Sequence, residues 1–433
     1  MKKIIYLLLI SFLALGFFGC EKEPEIFDDD HIMELPPLKD QFASYFLIGN
    51  ISKGDDVGTG AGITDARLTR HYNALTAENN MKPNALTNGR TSGTISYTWT
   101  NADRFVNSAR ASGMQVIGHT LLWHSQNPDW VWRDIATRGN GKNPSGFGTN
   151  PGPGVARMSK EEALTVMRNY ITAVASRYEG KIHTWDVLNE IFPDNASRAN
   201  ADSWKTQMRN GKSGEGQDGN PWYIAIGSAF VYEGFLAARL ADPGAILYYN
   251  DYNTEGGGTR AQLIRDMVIA VNNQYLAEDT SKKPTGEPAD RLLIEGIGMQ
   301  EHHNLGVTVA QIKATIDMFR AMTFTGSSRK IRLSVSELDI IAFNKYSDFS
   351  TAGGAGTEKH LNANRPGESA LITQANLYRD YMKLYIANAD IIERVSLWGV
   401  SDNNSWRSLG LPLLFDHNNK AKPAYYRFIE ALP

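Results

Sequence analysis

Cysteine is almost missing from this chain: Cys20 stands alone among 433 residues. An intrachain disulfide is impossible and a cysteine-rich zinc site is excluded, so stability must come from packing. An excess of one charge is missing too. Lys and Arg total 44 against 47 Asp and Glu, a formal net charge of -3. That balance gives no basic surplus to neutralise a phosphate backbone, and no nucleic-acid partner is implied. No apolar run reaches the roughly 20 residues that a membrane-spanning helix needs. There is no His-Glu-x-x-His helix, no glycine loop ending in Lys-Ser or Lys-Thr, and no Gly-x-Gly-x-x-Gly directly after a strand. His119, His124, His302 and His303 do not share one helical face. Neither a metal nor a cofactor is expected.

What the sequence does contain is ordered along its length. Lys2 and Lys3 precede a mostly apolar run from Ile4 to Phe18, followed by Gly19 and Cys20. A short run with a basic start reads as a secretory signal. A lone cysteine at its end resembles the acylated cysteine of a bacterial lipoprotein, with an incidental cysteine in a plain cleaved signal as the alternative. The expected divisions are a lipoprotein signal over 1–20, an acidic flexible tether over 21–38 and a single folded domain over 39–433. The expected location is the bacterial envelope, at the outer membrane or cell surface.

After the tether, short apolar runs alternate with helical patterns. Strands are expected near Phe46–Gly49, Ala74–Ala77, Gln115–His119, Thr184–Leu188, Ala245–Tyr249, Leu292–Gly298, Ile331–Ser336 and Val395–Trp398. The clearest helix runs from Lys160 to Tyr178, opened by the Ser159 and Glu162 capping pattern and closed near Gly180. Others are expected near Thr308–Met322 and Pro423–Leu432. Eight strands each followed by a helix predict an α/β fold, a (β/α)8 TIM barrel. The connections Trp132–Met158, Ile191–Asn220 and Ala342–Glu368 are long, and each follows a strand. In a barrel all three fall on the face that carries active sites. They are read as walls of a groove rather than as tolerated surface insertions.

Polar residues gather where the apolar runs stop. The fourth run, HTWDVLNE, ends in Asn189 and Glu190; the seventh, IRLSVSELD, delivers Glu337 and Asp339. One glutamate at a strand end is ordinarily an exposed loop residue. Two, on different strands of one barrel, can face each other across its mouth. Such a pair suits glycosidic cleavage, one carboxyl giving a proton to the leaving oxygen and the other attacking or activating water. Side chains that grip hydroxyls or stack on sugar rings lie on the same rim. They are Glu78, Asn79 and Lys82 from TAENNMK, His119, Trp123, His124 and Gln126 from GHTLLWHSQ, Gln300 and His302 from GIGMQEHH, and Trp398 and Trp406 from WGVSDNNSW. Singly, a tryptophan is more often core filling and a histidine a structural hydrogen-bonding group; their convergence is what carries the reading.

With YYNDYN at Tyr248–Asn253, these motifs occur in an order that resembles glycoside hydrolase family 10, the xylanase family, over about Phe46 to Leu432. The resemblance implies an endo-β-1,4-xylanase that cuts internal bonds of xylan by a retaining double displacement. Glu190 would be the acid/base and Glu337 the nucleophile. Asn189 would bond the sugar 2-hydroxyl, and His302 and Asp339 would support the nucleophile. Glu78, Asn79, Lys82, His119, Trp123, Gln126, Tyr252, Gln300, Trp398 and Trp406 would bind substrate. Asn80 stands where the family is often acidic, Leu188 replaces a common valine, and the connection after the fourth strand is long. The expected partners are xylan, xylo-oligosaccharides and, through a lipid on Cys20, a membrane; the enzyme is expected to be a monomer. Alternatives are a hydrolase of other β-linked glycans or short xylo-oligosaccharides, and an inactive glycan-binding lipoprotein.

Overall fold

Apolar runs bounded by turn residues become strands that pair side by side because each buries both faces. In Thr184–Asn189 every residue is buried, the pattern of a parallel sheet covered on both sides. The architecture comes from a computed structural model that describes residues 30–57, 62–91, 93–135, 158–211, 219–351 and 366–433. Its strands are β1 (Leu47–Ser52), β2 (Ala74–Ala77), β3 (Thr87–Thr91), β4 (Thr94–Tyr97), β5 (Gln115–Leu122), β6 (Thr184–Asn189), β7 (Ile246–Asp251), β8 (Gly296–Met299), β9 (His302–Asn304), β10 (Arg332–Ile341) and β11 (Ile392–Leu397). The sheet order is β11-β1-β2-β5-β6-β7-β8-β10, and β11 also pairs with β10, which closes the ring. These pairings are parallel.

Helices α1 (Ala66–His71), α2 (Thr100–Ala111), α3 (Lys160–Arg177), α4 (Ala229–Ala241), α5 (Thr259–Ala277), α6 (Val309–Arg320), α7 (Glu368–Ile386) and α8 (Pro423–Ile429) follow the barrel strands in turn. The chain is a (β/α)8 barrel. The capping box at α3 is present, with Ser159 and Glu162 exchanging side-chain and backbone bonds. Gly180 beyond the helix takes φ +67°.

Several boundaries move for identifiable reasons. The segment Leu292–Ile294 is buried but lies outside β8, because the Asn272 side chain bonds its backbone: Oδ1 accepts from the N–H of Leu293 and Ile294, and Nδ2 donates to the Ile294 carbonyl. Strand β10 runs on to Ile341 because β9 pairs alongside Asp339–Ile341. The antiparallel hairpin β3–β4 was not expected from the sequence. The tether expected to reach residue 38 ends sooner. Ile32, Leu35 and Leu38 are buried in the main core, the Ile32 N–H donates to the Asn419 carbonyl at 2.9 Å, and the Tyr425 hydroxyl donates to the Pro36 carbonyl at 2.8 Å. The acidic composition hid these apolar positions. The rest of that tether, the signal segment and Cys20 lie outside the described residues, as do 136–157, 212–218 and 352–365 within the three long connections.

Close approach of layers depends on glycine at one position in particular. Gly118 of β5 is the register partner of Trp185 in β6. A Cβ on Gly118 would fall 2.1 Å from Trp185 Cε3, and the indole is held by its Nε1, which donates to Asp242 Oδ2 at 3.1 Å. Gly118→Ala is therefore expected to destabilise the fold by about 1–3 kcal/mol through overpacking. Urea unfolding at equilibrium measures this, and an unchanged midpoint would mean that the indole moves aside without cost.

Candidate active site

The strand ends that gather polar residues in the sequence meet at the mouth of the barrel. A cleft of ≈ 1260 Å³ there is lined by every candidate of the sequence reading apart from Asp339 and Cys20. Asp339 lies just beneath it, fully buried, and Cys20 lies outside the described residues.

Glu190 is the first residue beyond β6, and its backbone takes φ +53°. A non-glycine residue in the left-handed region is uncommon and costs energy, so its neighbours must hold it there. Its N–H donates to the Asn250 carbonyl at 2.9 Å. This turn breaks the strand's alternation and brings the carboxyl into the cleft. Oε2 accepts from Trp123 Nε1 at 3.0 Å and lies 3.2 Å from His124 Nε2; Oε1 accepts from Gln300 Nε2 at 2.8 Å. Burial pushes this carboxyl up, but His124, through its hydrogen bond and its charge, and then the N–H groups of Gln300 and Trp123 outweigh it and hold the resting group below the usual carboxylate range. Burial pushes His124 itself down, against the opposing pull of Glu190.

Glu337 sits within β10 and has different company. Its Oε1 accepts from Asn250 Nδ2 at 2.8 Å, and its Oε2 lies 3.3 Å from His302 Nε2. The other ring nitrogen of His302 lies 3.0 Å from Asp339 Oδ2, an ion contact. Asp339 also accepts from Trp406 Nε1 at 3.0 Å and from Arg407 Nη1 at 3.1 Å. Burial would lower the His302 pKa, but Asp339 and then Glu337 reverse this and push it up to about 9. The same cations, with the Trp406 N–H, overcome burial at Asp339 and lower its pKa.

Hydrogen bonds connect the two glutamates. Glu190 bonds Gln300; Gln300 Nε2 reaches Asn189 Oδ1 at 3.4 Å; Asn189 Oδ1 accepts from Asn250 Nδ2 at 2.9 Å; Asn250 bonds Glu337. Asn250, Ser336, Arg407, Asp194 and Arg209 were not singled out from sequence. Asn250 had the same signal as Asn189, a polar residue ending an apolar run, within YYNDYN.

On one side of the pair lie Glu78, Asn79, Lys82 and Gln126. Asn79 Oδ1 accepts from Lys82 Nζ at 3.2 Å and from Gln126 Nε2 at 3.1 Å. Lys82 Nζ lies 4.7 Å from the Trp123 ring centre. Burial lowers the Lys82 pKa against the opposing pull of Glu337, Glu78 and Glu190. His119 is fixed by Asp186, with Nδ1 2.9 Å from Oδ2, and meets the Trp398 ring edge-on at 5.6 Å. Trp398 is 6% exposed and Trp406 40%, so Trp406 offers the open indole surface. On the other side, the Tyr252 hydroxyl donates to Asp194 Oδ1 at 2.6 Å.

A family model for glycosyl hydrolase family 10 matches residues 37–431. The chain is 32% identical over 405 residues to endo-1,4-beta-xylanase A of Thermotoga neapolitana, covering 92% of this chain and 31% of that protein. It thus spans about a third of the length of the first curated relatives it matches. It is 31% identical over 404 residues to the endo-1,4-beta-xylanase of Geobacillus stearothermophilus, covering 91% of this chain and 98% of that one. A solved GH10 xylanase from termite gut, containing a bacterial Ig-like domain, is similar with a TM-score of 0.77 and 47% identity, covering 93% of this chain and 78% of that one.

The raised His302 pKa carries a stability consequence. It contributes stability that is full below its ordinary value near 6.5 and is lost as pH rises through about 9. Asp339→Asn should bring the His302 titration down and shrink that alkaline loss. Side-chain nitrogen NMR reads the titration directly; a wild-type His302 titrating below pH 7 would refute the pairing.

Proposed function

The chain belongs to glycosyl hydrolase family 10, and we propose that it is an endo-β-1,4-xylanase working by a retaining double displacement. One observation carries the reading: two cleft carboxylates joined by a chain of side-chain amides, one held by Trp123, Gln300 and His124 and the other facing His302 backed by Asp339. Pairs of titratable groups in unlike surroundings divide acid and nucleophile roles. The xylanase names of the relatives support xylan and xylo-oligosaccharides as substrates.

In the first step a Glu337 oxygen attacks the anomeric carbon. The glycosidic carbon–oxygen bond breaks, and the leaving oxygen takes a proton from Glu190. In the second, Glu190 takes a proton from water, whose oxygen attacks the same carbon and releases Glu337. The imidazolium of His302 faces the nucleophile and steadies its charge before attack and after release. Asn189 Nδ2 is buried beside the pair with no partner among the described residues, which leaves it for the 2-hydroxyl. Trp123 and Gln300 both hold Glu190 and line the sugar path. A sugar that took over the Trp123 or Gln300 bond would raise the affinity of Glu190 for the proton it must give.

Purified protein on polymeric xylan tests this. Mixed oligomers should appear first, with viscosity falling ahead of reducing-end release, and the first-formed anomer should be β by proton NMR. Glu190→Ala should keep its first step on aryl xylosides with good leaving groups and yield β-xylosyl azide when azide is added. Early xylose alone would refute endo action, and early α-anomer would refute retention.

We also propose that the enzyme is anchored to the bacterial envelope by acyl chains on Cys20. The support is the position of this cysteine after a short apolar run with a basic start. More than one chain is needed for stable anchoring. Cys20→Ser should release the enzyme from membranes or leave its precursor unprocessed. Membrane fractionation and precursor processing both identical to wild type would overturn the anchor.

A further inference from the structure

The insertion after β6 was expected to wall the cleft, yet its residue Arg209 does something more specific. Arg209 is wholly buried. Its backbone is fixed in the insertion, its N–H donating to the Ile191 carbonyl at 2.8 Å and its carbonyl accepting from Asn220 at 2.9 Å. Its guanidinium points back to the catalytic strand: Nε donates to the carbonyl of Glu190 at 2.9 Å. Nη2 donates to the Tyr252 hydroxyl at 2.8 Å. That hydroxyl donates to Asp194, which also accepts from Arg260 Nη2 at 2.6 Å, while the Arg260 guanidinium lies 3.9 Å from the centre of the Tyr252 ring.

The left-handed turn at Glu190 gives this contact its meaning. The Glu190 N–H stays bonded to β7, while its carbonyl takes a cation from the insertion. A left-handed non-glycine residue persists only where the surroundings over-determine it, at a cost of about 1–3 kcal/mol. A charge-assisted bond to the carbonyl is a strong way to supply that constraint. We propose that Arg209 is a positioning residue that holds the Glu190 peptide in its left-handed conformation and thereby aims the proton-donating carboxyl at the leaving group. This rests on the reading of Glu190 as the acid/base. It assigns the insertion a part in the reaction, linking the leaving-group side of the cleft, through Tyr252 and Asp194, to the acid.

The test separates aim from fold. Arg209→Met and Arg209→Lys are compared with wild type on aryl β-xylobiosides whose phenol leaving groups span a wide range of acidity. A misdirected acid harms poor leaving groups alone. For Arg209→Met, kcat/KM should fall on the order of 100-fold for a phenyl leaving group and stay within about threefold for 2,4-dinitrophenyl, the lower end of what a general acid contributes. The dependence of rate on leaving-group acidity should steepen, and Arg209→Lys, which keeps a cation, should restore part of the loss. Equal losses across the series, or none, would overturn the proposal by leaving Arg209 a purely structural or idle residue. If Arg209→Met does not fold, the slope for Arg209→Lys decides alone: steeper than wild type supports the proposal, unchanged overturns it. Wild-type protein that cleaves no xylobioside and no xylan would instead overturn the xylanase reading, so the two failures are distinct.

Discussion

The side chain of Asn250 joins three barrel strands at the floor of the cleft, between the two glutamates. Its Nδ2 donates both to Asn189 Oδ1 in β6 and to Glu337 Oε1 in β10, and its Oδ1 accepts from Ser336 Oγ at 2.6 Å. Asn189 precedes Glu190 and Ser336 precedes Glu337, so a single amide fixes the chain beside each. Room for it comes from Gly298 in β8, where a Cβ would fall 2.2 Å from Asn250 Oδ1. A buried amide that loses one partner bears a desolvation cost for the orphaned group, so each of these contacts enforces the others.

Around that amide the two carboxylates acquire opposite surroundings. Glu190 is bonded by an indole, an amide and an imidazole whose own pKa burial lowers. Glu337 faces an imidazolium that Asp339 keeps protonated, and Asp339 is held by Arg407 and Trp406. Behind Glu337 charges therefore alternate from carboxylate to imidazolium to carboxylate to guanidinium. Two residues of one type are divided by their neighbours, as the proposed acid/base and nucleophile roles require.

The barrel supplies rigidity, and its irregularities supply aim. Ladder bonds fix each strand, but two residues at strand ends beside the cleft depart from strand geometry: Glu190 at φ +53° and Glu301, between Gln300 and His302, at φ +60°. Glu301 is itself buried and bonded to His303 and to the Tyr385 hydroxyl, which anchors the bend that presents Gln300 to one carboxylate and His302 to the other.

The sequence by itself determined the barrel, because the alternation of buried strand and amphipathic helix is a local pattern that burial enforces. Ala74–Ala77 was legible to the residue, as was the capping box at Ser159. It also determined which side chains reach the cleft, since residues such as Glu78 and Trp398 directly follow apolar runs, and parallel strands of a barrel all end on one face. Tertiary structure decided what could not be local. Ile32 and Leu35 sit in an acidic stretch and are buried in the core, where Arg70 and His71 of α1 bond their carbonyls and Tyr425 of α8 bonds that of Pro36. Asn250 and Arg209 each look ordinary in sequence; their roles exist only because their partners, from 61 and 19 residues away, arrive at hydrogen-bonding distance. The same holds for the division between Glu190 and Glu337, because the field at a carboxylate is the sum of groups that only the closed barrel brings together.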